Sequence, residues 1–154
     1  IVVNVQGDET LLKAAEINQD GHLLQHETRA QIATLCEPLS RAVDINDPNQ
    51  VKVVFTSDGR ALYFSRAPIP GHPEHHLGLH FRHIGLYSYR AEFLRDFSQW
   101  APTALEQFER LEQLRALDHH VWIQVAVTDH SIPPGVDTEA DLTAVRKHLD
   151  GSIV

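Results

Sequence analysis

The sequence of 154 residues contains no methionine and a single cysteine, Cys36. One cysteine excludes an internal disulfide. A low cysteine content is typical of proteins from reducing compartments, and we therefore expect a cytoplasmic protein. No apolar run approaches the roughly 18 residues that a membrane-spanning helix needs. We therefore expect no membrane partner.

Basic residues are also scarce. Lys and Arg number 13 against 21 Asp and Glu, which gives a formal net charge of −8. Because no stripe of Lys or Arg could neutralise a phosphate backbone, nucleic acid is not expected as a partner. The hydrophobic content of 42% is ordinary for a globular protein, and the chain is long enough for one domain with a sizeable core.

The first residues suggest a ligand site at the end of a strand. Ile1 to Val5 is a mostly β-branched run that predicts a strand buried in a sheet. Glycine then allows a sharp turn at Gln6-Gly7. Asp8 follows the carboxyl end of the strand, where open α/β sheets bind ligands, and its carboxylate suits Mg²⁺. An Asx turn that closes the strand explains the same residues equally well.

Strand and helix patterns alternate along the chain without an internal repeat, which predicts an α/β layered fold. A weak helix, or two short ones separated at Asp20-Gly21, is expected over 11–25, and a short helix over 91–97. The predicted strands lie at 32–35, 51–55, 61–64, 84–89 and 121–127, with a hairpin turn at 57–59.

The capping box formed by Thr103 and Glu106 predicts a helix that runs to Leu117. Its expected buried stripe consists of Leu105, Phe108, Leu111 and Leu114. Glu106, Glu109 and Glu112 are expected to form a solvated acidic face on the other side of the helix. A second cap pattern at Thr138 and Asp141 predicts a helix with Leu142, Val145 and Leu149 on its buried side.

A histidine-rich loop lies between the predicted strands at 61–64 and 84–89. The loop and the residue just beyond it supply five histidines, namely His72, His75, His76, His80 and His83. Such a cluster could bind Zn²⁺ or Ni²⁺. Prolines in the loop disrupt the helical spacing that ligand pairs use and no cysteine joins the cluster, so a solvated loop is the favoured interpretation.

Six segments together resemble one family, the 3-deoxy-manno-octulosonate (Kdo) cytidylyltransferases, or CMP-Kdo synthetases. The resemblance spans essentially the whole chain and is carried by VNVQGDE (3–9), VKVV (51–54), ALYFSRAPIP (61–70), RHIGLYSYR (82–90), LEQLR (111–115) and VAVTDHSIPPGVDT (125–138). Any one block would be weak, but six blocks in the right order are specific.

The resemblance implies transfer of CMP from CTP to Kdo, with release of pyrophosphate, for lipopolysaccharide biosynthesis. It implies a three-layer α/β/α sandwich with a mixed sheet, of the nucleotide-diphospho-sugar transferase type, in a cytoplasmic, Mg²⁺-dependent homodimer. By motif match, the Mg²⁺ carboxylates would be Asp8 and Asp137, and Gln6 would lie against the nucleotide. The residues lining the sugar-acid pocket would be Arg66, His83, Tyr87, Glu112 and Gln113. Glu106 and Glu109 would stay at the surface.

One feature of the family has no match in this chain. The family begins with a nucleotide-binding half that carries a basic, glycine-containing phosphate loop, so residues 1–154 resemble the C-terminal, sugar-binding and dimerisation portion of the domain. We expect such a half to precede Ile1, and little or no cytidylyl transfer by residues 1–154 alone. We also expect the unpaired flank of the first strand to favour self-association.

Three other functions remain open at this level. A related acidic sugar, such as 8-amino-Kdo or a sialic acid, could replace Kdo as the substrate. The chain could also be a non-catalytic binding or assembly module, because it lacks the phosphate loop. Finally, the histidine-rich loop could make it a metal-binding protein.

Overall fold

The computed structural model describes residues 1–7, 12–39, 41–71, 77–128, 132, 142, 143, 145 and 146. Its strands are β1 (Val2–Val5), β2 (Ile32–Pro38), β3 (Lys52–Phe55), β4 (Ala61–Ser65), β5 (Phe81–Tyr89) and β6 (Ile123–Val127). Its helices are α1 (Ala14–His26), α2 (Ala42–Ile45), α3 (Ala91–Phe97), α4 (Ala104–Glu109) and α5 (Gln113–Asp118), with a 3-10 turn at Leu77–Leu79.

The long strand β5 organises the sheet. On one side it pairs antiparallel with β2 along its whole length. On the other side it pairs with β3 near its start and with β1 from Leu86 to Tyr89. The order is β4-β3-β5-β2-β6, with β1 beside β5, and among the strands of the described residues only the β2–β6 pair is parallel. The prediction of a mixed sheet is therefore confirmed.

Alternating side chains of β5 contribute to the core on both faces of the sheet. Ile84 and Leu86 pack with Leu35 and with apolar residues of α1 on one face. Tyr87 and Tyr89 join the larger cluster on the other face, which contains residues of α3 and α5. Helices thus cover both faces, as expected for an α/β/α sandwich. Because β2 and β5 are covered on both sides, they are buried at nearly every position.

Helix α1 is one continuous helix across Asp20-Gly21, so the alternative of two short helices is wrong. The Asp20 side chain is fully buried and accepts a hydrogen bond from Ser88 Oγ at 2.6 Å. This contact ties the middle of the helix to β5. Packing against the sheet therefore outweighs the cost of about 1 kcal/mol for an interior glycine.

The predicted single helix from Thr103 to Leu117 is wrong. The capping box is confirmed, with the Thr103 N–H donating to Glu106 Oε2 at 3.2 Å. The helix ends at Glu109, because Arg110 has a left-handed backbone with φ of 57°, and the next helix, α5, begins at Gln113. This break buries Leu111 and Leu114 but leaves Leu105 44% and Phe108 85% exposed.

The first strand also differs from its prediction in one respect. Val2–Val5 is a strand, as expected, but all four of its residues are exposed, so its predicted burial is wrong. The physical reason is that β1 pairs with β5 along one edge, and among the described residues no strand lies along its other edge. In the C-terminal region, Leu142, Thr143, Val145 and Arg146 have helical backbone, while Thr138, Asp141 and Leu149 lie outside the described residues.

The turn of the β3–β4 hairpin folds back onto β6. The Val125 N–H donates to Gly59 O at 2.7 Å, and Gln124 Nε2 donates to Asp58 O at 3.0 Å. Gly59 has φ of +83°, and a Cβ atom there would lie 2.7 Å from Val125 O. Glycine is therefore required at this position both by conformation and by close packing.

We predict that Gly59→Ala lowers the free energy of unfolding by about 2 to 4 kcal/mol, because the new methyl group adds left-handed strain and overpacking. Urea denaturation measures the change. Gly71→Ala is the matched control, since no atom of the described residues lies within 4 Å of a Cβ atom at that position, and it should change stability by less than about 0.5 kcal/mol. Equal effects of the two variants would contradict the prediction.

Candidate functional site

Two of the predicted site residues, Asp8 and Asp137, lie outside the described residues. The predicted meeting of these carboxylates around one Mg²⁺ therefore stays a prediction. The other six, Gln6, Arg66, His83, Tyr87, Glu112 and Gln113, are all described.

The strand register places Gln6 on the same sheet face as His83 and Tyr87. The Gln6 N–H donates to Gly85 O at 3.2 Å, which continues the β1–β5 ladder by one step. Gly85 lies midway between His83 and Tyr87 along β5. In that register Asn4 lies opposite Tyr87. Residues that lie opposite each other in a ladder share a face, so Asn4, Gln6, His83 and Tyr87 all belong to one side of the sheet.

His83 is held among aromatic rings and one hydroxyl. Its ring lies 5.1 Å from Tyr87 and meets Phe64 edge-on at 5.1 Å. Its Nε2 lies 3.0 Å from Thr34 Oγ1. Burial, with a smaller contribution from the charge of Arg82, lowers the pKa of His83 to about 3. The imidazole is therefore neutral at physiological pH and can bind a ligand by hydrogen bonds without carrying a charge.

Tyr87 is a protonated phenol at any ordinary pH. Its side chain is 5% exposed, and burial, together with the nearby charges that include Glu112, raises its pKa well above the usual value. The pKa of Tyr89 is raised for the same reasons. Tyr87 and Tyr89 belong to the same core cluster as Leu111 and Leu114, so the start of α5 packs against the aromatic face of β5.

The two pocket residues predicted at the start of α5 differ in exposure. Gln113 is buried, whereas the side chain of Glu112 is 65% exposed and lies 3.3 Å from Arg115 Nη2. Gln113 is therefore packed inside the protein, whereas most of the Glu112 side chain faces solvent.

Arg66 lines a separate cleft of about 570 Å³ together with Pro48, Asn49, Phe108, Glu109 and Arg110. None of the other predicted pocket residues lines this cleft. Arg66 Nε donates to Glu109 O at 3.0 Å and Nη1 donates to Pro48 O at 3.1 Å. Arg66 Nη2 makes no hydrogen bond within the described ranges, so one edge of the guanidinium remains available for an anion.

The prediction that Glu106 and Glu109 form a solvated surface is wrong. Glu109 accepts hydrogen bonds from Ser65 Oγ at 2.8 Å and from the Arg66 N–H at 3.1 Å. Glu106 forms an ion pair with Arg115, whose Nε donates to Glu106 Oε2 at 2.7 Å. The break at Arg110 turns this part of the chain toward β4, which is why the helical pattern misassigned the face.

Sequence reasoning missed three polar residues of this region, Asn4, Thr34 and Glu109. Strand alternation could have placed Asn4, because it lies two residues before Gln6 in a predicted strand. The register that brings Thr34 to His83 and the break that brings Glu109 to Arg66 carry no local signal in the sequence.

The described part of the chain does not support the metal-binding alternative. It contains no group of three or more His, Cys, Asp or Glu side chains arranged to hold a metal ion. His80 is buried, and its Nε2 donates to Pro70 O at 2.8 Å, while His72, His75 and His76 lie outside the described residues.

The single cysteine is not a candidate nucleophile. Cys36 is buried, and burial raises the pKa of its thiol to about 12, so the thiol is unreactive.

Comparison with known proteins gives a consistent result. Residues 1–135 match the family model described as cytidylyltransferase. The chain is 52% identical to a 3-deoxy-manno-octulosonate cytidylyltransferase of Chromohalobacter salexigens, over 96% of this chain and 60% of that protein. It is 46% identical to the enzyme of the same name from Alcanivorax borkumensis, over 98% of this chain and 63% of that protein.

A solved structure is similar along almost the entire chain. It is described as CMP:2-keto-3-deoxy-manno-octonic acid synthetase complexed with CTP, and superposes with a TM-score of 0.90 at 33% identity. The match covers 98% of this chain and 62% of that structure. The chain thus spans a little under two thirds of the length of the relatives that it matches.

The low pKa of His83 predicts a pH dependence of stability. The folded-state pKa of about 3 lies below the unfolded value near 6.5, so this contribution is fully present above pH 6.5 and is lost as the pH falls. Between pH 7 and pH 5 the free energy of unfolding should fall by up to about 2 kcal/mol relative to that of His83→Asn. Urea denaturation of both proteins at the two pH values checks this, and parallel behaviour would contradict it.

Proposed function

This chain belongs to the cytidylyltransferase family, and we propose on that basis that the protein carrying it transfers CMP from CTP to Kdo, giving CMP-Kdo and pyrophosphate. The observation that carries the proposal is the match of 46–52% identity, along nearly the whole chain, to proteins named for this reaction. The similarity to a solved CMP-Kdo synthetase complexed with CTP supports the same substrate pair.

The described polar groups fit the recognition of a carboxylated sugar. The free edge of Arg66 suits a carboxylate. His83 and Tyr87 are uncharged under ordinary conditions, because burial lowers the pKa of the first and raises that of the second. They can therefore exchange hydrogen bonds with sugar hydroxyls, while Glu112 and Gln113 supply further acceptors and donors.

The reaction places few covalent demands on the protein. The anomeric hydroxyl of the sugar attacks the α-phosphorus of CTP, and pyrophosphate leaves, so the side chains need to bind, orient and exclude water. Gln6, at the end of β1, would contact the nucleotide. Asp8 and Asp137 supply hard carboxylate oxygens of the kind that bind Mg²⁺, and bound Mg²⁺ would neutralise charge that builds up on the phosphates.

The proposal extends to the setting of the enzyme. We propose a cytoplasmic homodimer that acts in lipopolysaccharide biosynthesis. None of the described helices has the length and apolar character needed to cross a bilayer. The exposed residues Ile1, Val2, Val3 and Val5 lie in or beside β1, and along its outer edge, which no strand of the described residues pairs with, a second subunit could pair.

The proposal is tested by release of pyrophosphate in the presence of CTP, Kdo and Mg²⁺. The assay uses this chain alone and a hybrid in which the chain replaces the matching segment of the Chromohalobacter salexigens relative. We expect turnover by the hybrid, little turnover by the chain alone because no residue in it matches the family's phosphate loop, and loss of activity in the hybrid with Asp8→Asn or Asp137→Asn.

A substrate panel completes this test. Kdo should be preferred over 8-amino-Kdo and sialic acid when CTP is saturating. A folded hybrid that releases no pyrophosphate with any of the three sugars would refute the proposed activity, and a preference for another sugar would refute the assignment of Kdo.

The contacts of Arg66 predict a specific effect of Glu109. In Glu109→Gln the carboxylate becomes a neutral amide with a single acceptor oxygen, so the hydrogen bonds from Ser65 Oγ and from the Arg66 N–H no longer both go to a charged acceptor. The backbone that carries the Arg66 side chain is then held less firmly. The KM of the hybrid for Kdo should rise by about three- to tenfold, the equivalent of one lost hydrogen bond, while the KM for CTP stays unchanged.

Glu106→Gln is the matched control for this change. It removes the ion pair with Arg115 at the other end of the same short helix, without a contact to Arg66. It should lower the melting temperature but leave both KM values unchanged. Equal rises in the KM for Kdo in the two variants would show that α4 acts only through stability.

A further inference from the structure

Thr34 lies in the middle of β2 and is completely buried. Its hydroxyl oxygen is close to three polar atoms of β5. It lies 2.8 Å from Leu86 O, 3.3 Å from Ile84 O and 3.0 Å from His83 Nε2. One carbonyl is enough to take the single hydroxyl proton, so the contact with His83, a side chain of the candidate site, needs an explanation.

The number of protons determines the direction of these hydrogen bonds. A threonine hydroxyl has one proton to donate, and a carbonyl oxygen can only accept. The short contact between Thr34 Oγ1 and Leu86 O therefore requires the hydroxyl proton. With its proton used there, the oxygen can only accept from His83, which means that His83 Nε2 carries a hydrogen.

The state of the second ring nitrogen then follows. Burial keeps the imidazole of His83 neutral at physiological pH, and a neutral imidazole carries one N–H. If the hydrogen is on Nε2, Nδ1 has a lone pair, and Nδ1 makes no hydrogen bond in the portion of the chain described above.

We propose that Thr34 is a positioning residue that holds His83 in the Nε2–H tautomer, so that Nδ1 accepts a hydrogen bond from a hydroxyl group of the acidic sugar. The inference rests on the proposed function for the identity of the ligand, but the tautomer itself does not depend on it. The hydrogen bond made by one ring nitrogen of a histidine commonly sets the protonation of the other. An acceptor fixed in this way orients the donor hydroxyl before the reaction.

The arrangement also has a consequence for selectivity. Nδ1 as a fixed acceptor favours ligands with a hydroxyl or N–H at that position and disfavours those that present a carbonyl or an ether oxygen. In the other tautomer the preference would be reversed. The hydroxyl of a buried residue in β2 thus influences which sugar groups the site accepts.

The test begins with the full 154-residue chain labelled with ¹⁵N-histidine. Long-range ¹H–¹⁵N spectra at pH 7 distinguish a protonated ring nitrogen from a bare one, and His83→Asn assigns the signal among the 11 histidines. We expect His83 to carry its proton on Nε2. The isosteric variant Thr34→Val should shift the population toward Nδ1–H, whereas Thr34→Ser, which retains a hydroxyl, should keep the original tautomer.

The second measurement is kinetic and uses the hybrid enzyme described above. Thr34→Val should raise the KM for Kdo by about three- to tenfold, as expected for one lost hydrogen bond, with the KM for CTP unchanged. Thr34→Ser should restore a value within about twofold of the original, because a single hydroxyl suffices. A merely structural role would change stability in both variants without this selective effect.

The outcomes are distinguishable. A bare Nε2 in the unmodified chain, or an unchanged tautomer in Thr34→Val, overturns the proposal whatever the enzyme does. A changed tautomer without a change in the KM for Kdo overturns the role in binding. A hybrid without pyrophosphate release refutes the proposed function, and the histidine spectra then decide the tautomer alone.

Discussion

The two-sided pairing of β5 is the constraint on which the rest of this structure depends. One strand of nine residues holds β2 along one side and both β3 and β1 along the other. Because side chains alternate along a strand, β5 directs Ile84 and Leu86 toward α1 while Tyr87 points toward the opposite helical layer. Pairing, packing and the candidate site are therefore linked through the same strand.

Buried charged groups fix the ends of the strands around this centre. Lys52 is fully buried, and its ammonium donates to Asp47 O at 2.8 Å and to Arg66 O at 2.6 Å. Arg82 pairs with Glu37 at 2.8 Å, and Glu37 also accepts from the Ile132 N–H at 2.8 Å. Since a buried charge without a partner is costly, these contacts fix the backbone at Arg66, just after β4, and at Ile132, beyond β6.

The candidate site combines neutral and charged groups in different places. The aromatic face of β5 carries groups whose pKa values keep them uncharged, while Arg66 lies in a separate cleft. Such a division suits a ligand with a polyol body and one carboxylate, because hydroxyls need hydrogen bonds and only the carboxylate needs a positive charge.

The sequence by itself determined the strands, the hairpin, the capping box and the family resemblance, because each depends on residue types at short spacing. It could not determine the break at Arg110, since a continuous apolar stripe from Leu105 to Leu114 fits one helix equally well. Only tertiary structure decided that Glu109 turns toward Arg66 and that Thr34 meets His83. These contacts join residues 43 and 49 positions apart, and they arise from strand register and packing, which no local pattern encodes.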